Sequence, residues 1–475
     1  MEKITILLSQ GDLYNTLTFF EELIPVFSND FDIYFIGPST PTIQKKLRNE
    51  KIKYFGIFNK NNKKISSEIS YEELSRIENF LGYPIEKIIF SDPEFYSFYV
   101  KNKNKALNEF IRIFNNINEI LTKNPIYLFF TFGEDRLYNI IPYLILKRKG
   151  GKSYLVSIIP YYGITLTTDF FGSFTEQKIK FSNLEKADFE HYSRLVKQSK
   201  VYFDSDAINQ IDFRKYINPL NLIRKICKIA KFNKENQRTF YSSHTNINVL
   251  KVSQQFFLKK YKTNKIKNFY KSIQKPLSEN RKYIYYPLHF TEDAQILLKF
   301  PEGYNQYELI RNIAKNLPIN YGLIIKEHPG YIGQYDYNQM FNLSQIPNVF
   351  LFDPFVSSKE VFNNCDIILT INSTVGFEAL FFNKNVITLG KPFYNHFPGV
   401  IHIETLNDLF SILTNVEIQN CCKNDISNYL CKSTLDLLNS SIVFNYQDFY
   451  KNGNVEMLSK FIKNHINNTS SFFNY

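Results

Sequence analysis

Two Rossmann-like α/β domains facing a cleft are expected from three features of the sequence. Short β-branched and aromatic runs end in polar residues, helical stretches alternate with them, and 475 residues are too many for one ordinary core. A basic stretch divides the alternating halves. The expected organisation is a first domain over residues 1–205, a helical basic arm over 206–279, a second domain over 280–415 and C-terminal helices over 416–475. In open α/β sheets ligands bind beyond the carboxyl ends of the strands, so the chemistry is sought there.

With 44% hydrophobic and 21% charged residues the composition is globular, and its Phe, Tyr, Asn, Ile and Lys bias is one that an AT-rich genome produces without functional cause. The five cysteines (Cys227, Cys365, Cys421, Cys422 and Cys431) have no metal-ligand spacing, and the adjacent Cys421-Cys422 is a poor disulfide. No metal site is expected, and a reducing, cytoplasmic setting is. Met1-Glu2-Lys3 runs straight into a strand without a leader pattern, and no run of ~18 apolar residues occurs, so neither export nor a membrane span is expected. The formal charge of +12 is concentrated: between Arg214 and Lys275 sixteen Lys or Arg stand against one acidic residue, Glu235.

The first domain opens with the strand Ile4–Leu8, a Gly-Asp turn, an amphipathic helix and a strand ending at Gly37-Pro38, a βαβ unit. Its turn, Ser9-Gln10-Gly11-Asp12, lacks Gly-x-Gly-x-x-Gly, so no redox dinucleotide is expected. Residues 60–125 read as mostly helical and polar, including Tyr71–Leu81 and Lys105–Leu121, with no evident chemistry. The strand Ile126–Phe132 then ends in Gly133-Glu134-Asp135-Arg136 before the helix Leu137–Lys149. Two carboxylates thus stand at a strand's carboxyl end, one suited to act as general base and one to cap the helix. After the strand Tyr154–Ile159, Pro160–Gly163 and Thr165–Gly172 read as a loop whose hydroxyls and aromatic faces suit a sugar.

In the second domain Lys282–Tyr286 is a strand leading to His289 and Glu292, which are expected to line the cleft. A helix at about Tyr307–Asn316 precedes the strand Gly322–Ile325, which ends in Lys326-Glu327-His328-Pro329. Val349–Phe352 and Ile367–Ile371 are further strands, the latter ending in Asn372-Ser373-Thr374. Ser373 and Thr374 precede a helical start, with Gly376 allowing close approach, so hydroxyls and backbone N–H groups are expected to face one anion. Lys326 and His328 would add charge and hydrogen bonds at the neighbouring strand end, and Glu378 would accept ribose hydroxyls. Helix patterns at Leu406–Leu413, Asp425–Leu438 and Asn454–Ile466 close the chain.

The succession YIYYPLHFTEDA, IIKEHPGY, NVFLFDPF and TINSTVGFEALFFNKNVITLGKPFY resembles the C-terminal domain of bacterial capsular and surface polysaccharide biosynthesis proteins, a family that includes Kdo transferases. GITLTTDFFGSF is similar to a segment of the same family's N-terminal half, and His328-Pro329 with Ser373-Thr374 resembles the His-Pro and Ser-Ser/Thr motifs of bacterial sialyltransferases. The resemblance implies the GT-B architecture and a metal-independent glycosyltransferase without a cofactor. Its co-substrate would be a nucleotide sugar, best a CMP-linked 2-keto acid such as Kdo or sialic acid, and its acceptor an oligosaccharide or glycolipid. Lys326, His328, Pro329, Ser373, Thr374, Gly376 and Glu378 would hold the nucleotide. Family members commonly carry an acidic residue before the glycine at Pro160-Tyr161-Tyr162-Gly163, and this chain has Tyr162 there. Glu134, Asp135 and Asp169 remain as catalytic carboxylates beside His328, with Glu134 placed first.

Two other readings of the same motifs are a teichoic-acid-type transferase of a CDP-activated polyol phosphate and a non-catalytic scaffold of polysaccharide assembly. For the basic arm, Leu220, Ile223, Cys227 and Ala230 fall on one helical face with Arg224, Lys225, Lys228 and Lys231 around it. A solvated helix and an interfacial helix on anionic lipid at the inner membrane face both fit this pattern, whereas nucleic acid is not expected because no recognition motif accompanies the charge. If the arm docks on lipid, binding to anionic vesicles weakens as salt rises, because surface charges are screened beyond ~10 Å at 0.1 M. Equal binding to neutral vesicles in a flotation assay would contradict the interfacial helix.

Overall fold

The computed structural model describes residues 4–10, 24–25, 27–29, 31–37, 52–57, 69–132, 136–160, 163–167, 170, 183–198, 264–290, 293–328, 331–415, 426–439 and 442–443. Most of the basic arm, the expected helix at 454–466, and Glu134, Asp135, Asp169, Glu292 and Pro329 lie outside them.

Two sheets carry the fold. In the first, β1 (Ile4–Gln10), β2 (Phe31–Gly37), β3 (Lys53–Gly56), β4 (Leu128–Phe132) and β5 (Lys152–Ile159) run parallel in the order β5-β4-β1-β2-β3. β6 (Gly163–Thr167) joins β5 antiparallel. In the second sheet β7 (Lys282–Pro287), β8 (Tyr321–Lys326), β9 (Val349–Leu351), β10 (Ile367–Thr370), β11 (Asn385–Thr388) and β12 (Val400–His402) are all parallel, in the order β12-β11-β10-β7-β8-β9. That is the doubly wound arrangement in which the chain starts in the middle and reverses direction, and it places a switch point between β7 and β10. The corresponding point in the first sheet lies between β1 and β4. The chain is thus a pair of Rossmann-like α/β units.

The inner strands of the second sheet are mostly apolar because both faces are covered. Ile284, Tyr286, Leu323, Ile325 and Leu369 enter one core, and their neighbours Tyr283, Tyr285, Ile324, Phe350 and Ile368 enter the other. The close fit shows at Gly322, where an added Cβ would stand 2.6 Å from Tyr283 Cε1 and 2.8 Å from Phe350 Cε2. Those two rings meet edge-on at 5.3 Å across the position that a side chain would occupy.

The segment 60–125 is expected to be mostly polar, yet its described part, 69–125, supplies much of the first core. α1 (Tyr71–Leu81), α2 (Ile85–Phe90), α3 (Pro93–Lys101) and α4 (Lys103–Lys123) follow one another, and α4 buries Leu107, Phe110, Phe114, Ile117 and Leu121 along one face. Their spacing of three to four residues makes a stripe on a helix whose other faces are polar, so an average over the segment hides it. Each such side chain stabilises the fold by about 1.5–3 kcal/mol. Ser70 caps α1 at one end, and Gly82 closes the other in the left-handed region with φ 64°.

α5 (Leu137–Arg148) packs between β4 and the helices, and its residues are buried from Leu137 to Leu146. α6 (Lys186–Gln198), which the expected boundary at residue 205 assigns to the first domain, places Tyr192 and Val196 in the core of the second unit. The chain finally returns to the first unit: β13 (Ile442–Val443) pairs antiparallel with β6. Among the described residues no helix is long and apolar enough to cross a membrane.

Gly322→Ala is expected to lower stability by about 1–3 kcal/mol through overpacking between Tyr283 and Phe350. Thermal denaturation showing an unchanged melting temperature would mean that these rings can separate freely.

Candidate active site

The carboxyl edge of the second sheet gathers β10, β7 and β8, and a continuous hydrogen-bonded lattice joins their ends. His289, two residues beyond β7, is buried and lies at its centre. Its N–H donates to Gln306 Oε1 at 2.8 Å, and its carbonyl accepts from Gln306 Nε2 and Tyr335 Oη, both at 2.9 Å. Gln306 belongs to α8 (Gln306–Lys315), so one helix clamps both backbone groups of the histidine. On the imidazole side, Nε2 lies 3.4 Å from Thr370 Oγ1, which also accepts from Ser373 N at 3.1 Å. The β7 end is thereby fixed to the start of α11 (Thr374–Leu380), which follows α7 (Ala294–Leu297), α8, α9 (Tyr337–Ser344) and α10 (Ser358–Phe362) in the second unit. Toward β8, the His328 N–H donates to the same Tyr335 hydroxyl at 3.4 Å, and the His328 ring packs against Phe290 at 4.3 Å.

Burial lowers the His289 pKa to about 3, with His328 adding to the shift. Burial and then Lys326 lower His328 to about 4. Both imidazoles are therefore neutral near pH 7, and each offers one N–H and one acceptor. Lys326, at the end of β8, is buried, and its charge is felt by His328 and by Glu327. Glu327 is buried as well and accepts from Tyr270 Oη at 2.5 Å and from Gly333 N at 3.2 Å. Burial raises its pKa against these hydrogen bonds, chiefly the one from Tyr270. Glu327 thus anchors the helical segment 264–273 and the 331–335 loop beside His328.

Ser373 is the N-cap of α11, with φ −70° and ψ 142°, and its hydroxyl accepts from Val375 N at 3.2 Å. Gly376 N bonds the Ser373 carbonyl at 3.1 Å, and Tyr394 Oη donates to the same carbonyl. Two donors that the sequence reading left open to an anion are therefore used inside the first turn. Thr374 is exposed at this edge, and Ser373 is partly exposed. The expectation for Gly376 is corrected: a Cβ there would meet Tyr394 Oη at 2.4 Å, so the glycine makes room for a tyrosine and not for a ligand. Glu378 is likewise buried on the inner side of α11, where burial raises the pKa values of Tyr285 and Tyr394 and its charge adds to the rise, and it does not face an open cleft.

The structure brings together Lys326, His328, His289, Ser373 and Thr374 along one edge, and turns Gly376 and Glu378 inward. Pro329, Glu292, Glu134, Asp135 and Asp169 are outside the described residues. The loop expected at Thr165–Gly172 is also corrected, since Gly163–Thr167 forms β6, with Ile164 and Leu166 alternating with threonines in the period of a strand. Phe170 is fully buried, stacked on Tyr143 at 4.0 Å, and so offers no face to a sugar.

Asp92, which the sequence reading passed over, is fully buried and begins α3. One carboxylate oxygen accepts from Phe95 N and the other from Leu137 N, both at 3.1 Å, and Arg136 lies 3.6 Å away. A single side chain therefore caps α3 and holds the beginning of α5, just beyond Glu134-Asp135. The local pattern Asp-Pro-Glu marks a helix start, whereas the partner 45 residues on has no sequence signal.

Stability is expected to fall as pH drops from about 6.5 toward 3. Over that range the unfolded histidines take up protons that folded His289 and His328 refuse, so the unfolded state gains. Glu327 has the opposite sign, because its raised folded pKa favours proton uptake by the folded chain. Melting temperatures measured between pH 7 and 4 should decline, and less steeply in His289→Asn. An identical slope in that variant would contradict a neutral, buried imidazole.

Residues 189–413 match the model of the capsule polysaccharide biosynthesis protein family. Protein FixF of Sinorhizobium fredii is 34% identical over 116 residues, which are 24% of this chain and 27% of that protein's length. Two structures of KpsC from Thermosulfurimonas dismutans are similar at low identity. Its β-Kdo 2,7-transferase is 14% identical, with 61% of this chain and 73% of that chain covered at a TM-score of 0.30. Its β-Kdo 2,4-transferase is 12% identical, with 70% and 89% covered at a TM-score of 0.33. The matched residues span every strand of the second sheet and its hydrogen-bonded edge.

Proposed function

We propose that this protein is a glycosyltransferase that moves a 2-keto acid sugar, such as Kdo or sialic acid, from a CMP-linked donor onto a surface polysaccharide or glycolipid. The observation that carries this reading is the fixed edge in which neutral His289 ties the strand ends bearing His328 and Ser373. These ends belong to β8 and β10, which flank β7. Their axes are separated by two strand spacings, roughly 10 Å, a gap that a phosphate with a hydrogen bond on either side can span. The family match over the same residues supports polysaccharide assembly as the setting.

In the mechanism that fits, the donor's phosphate sits at this edge between His328 and the Ser373-Thr374 turn. The leaving CMP gains negative charge as the glycosidic bond breaks. Donors already in place stabilise that charge without reorganising. Lys326 contributes charge from within, and neutral His328 contributes an N–H, so the chain itself supplies the stabilisation and no metal is needed in this reading. A carboxylate from the first unit then takes the proton of the acceptor hydroxyl, or attacks the donor itself, from the opposite side. Glu134 is the first choice because it follows β4 at the switch point of the first sheet; Asp135 is the reserve and Asp169 the competitor.

A thermal-shift screen of CMP, CDP, UDP, GDP and CDP-glycerol tests the nucleotide, since a ligand that binds only the folded chain raises its melting temperature. CMP is expected to give the largest shift; a shift confined to CDP-glycerol would favour the polyol-phosphate reading. His328→Ala should reduce transfer about 10²-fold or more while leaving the fold intact. Turnover at the wild-type rate would remove its role. Glu134→Gln should abolish transfer with donor binding retained, and full activity in that variant would shift the assignment to Asp169.

A further inference from the structure

The crease between the two units holds an open groove whose walls are aromatic. Phe90, at the end of α2, and Tyr96 of α3 meet at 4.2 Å, and Tyr304 of the second unit abuts Phe90 edge-on at 5.1 Å. With Ser97, Val100 and Lys101 these rings border a volume of about 270 Å³. Val100 is 66% exposed at its rim, so the groove opens to solvent.

Chain connectivity ties the groove to both halves of the candidate site. On the second unit's side, Leu297 lines it two residues after Gln295, whose carbonyl accepts from Asn372 Nδ2 at 3.1 Å beside Ser373. On the first unit's side, Pro93 lines it directly after Asp92, which holds Leu137 N just beyond Glu134-Asp135. The groove is thus coupled through the backbone to a segment bonded beside Ser373 on one side and to the start of α5 on the other.

We infer that this groove is a subsite for one sugar ring of the acceptor, and that it prefers a ring bearing a carboxylate. The C–H face of a sugar stacks on a tyrosine ring, while its hydroxyls need polar partners at the edges. The Ser97 hydroxyl and the tyrosine hydroxyls are such partners. The exposed ammonium of Lys101 provides the counter-charge for a carboxylate, for which a bare hydrocarbon chain has no use. The assignment to the acceptor rests on the transferase reading above; the sugar-binding chemistry stands on the groove alone.

Saturation-transfer NMR on the full chain in the presence of CMP tests it, with Kdo, N-acetylneuraminic acid and glucose as the probes. The two acidic sugars are expected to receive saturation more strongly than glucose. Val100→Trp, which fills the groove from an exposed position, should abolish that transfer. Lys101→Gln should weaken binding of the acidic sugars about tenfold, the effect of losing one charge-assisted contact. The CMP-induced melting shift should be unchanged in both variants. Equal saturation in Val100→Trp, or none with any of the three sugars in the wild type, would overturn the subsite. Glucose bound as well as the acids would overturn the carboxylate preference. Sugar binding that Val100→Trp removes, in a chain that no nucleotide stabilises, would instead defeat the transferase reading and leave a sugar site.

Discussion

The candidate site depends on a buried imidazole that stays neutral. A charged histidine at the β7 end would need a counter-charge in a place without water, and burial drives the proton off instead. The neutral ring meets the hydroxyl of Thr370, and through it the backbone of Ser373, without bringing any charge of its own. Gln306 and Tyr335 occupy the backbone groups of His289, so three strand ends share one rigid frame. An edge built in this way holds the strand ends that carry Lys326, His328 and Ser373 in place without adding a charge of its own.

Packing of aromatic rings over glycines extends that rigidity through the sheet. Tyr283 and Phe350 close over Gly322 near the start of β8, and Tyr394 lies over Gly376 in α11. The second contact reaches the site directly, because the Tyr394 hydroxyl donates to the Ser373 carbonyl. The glycine in the first helical turn thus positions the cap from behind. Phe189 of α6 stacks on Phe381, and Tyr192 meets Phe377 at a tilt and Phe381 edge-on, so α6 also braces α11.

The first unit shows the same economy with polar groups. Ser9, at the carboxyl end of β1, donates to Asn139 Oδ1 of α5 at 2.5 Å, and both residues are fully buried. Asp92 fixes the beginning of that helix from the other side. The start of α5 is therefore anchored by buried hydrogen bonds, which are costly to break because each leaves an unsatisfied partner behind.

The sequence by itself determined the class of fold and the strand ends that form the candidate site. Period-two and period-3.6 patterns are local, and the strands of the second sheet, apolar on both faces, read as continuous hydrophobic runs ending in Lys326-Glu327-His328 and Asn372-Ser373-Thr374. Tertiary structure alone decided how those ends are joined. Thr370 and His289 are 81 residues apart, Asp92 and Leu137 are 45 apart, and no local pattern announces a partner at such separations. It also decided the roles of Gly376, Glu378 and Phe170. Residue type in a sequence specifies what a group can do, whereas only the packing around it settles whether that group turns to the cleft or to the core.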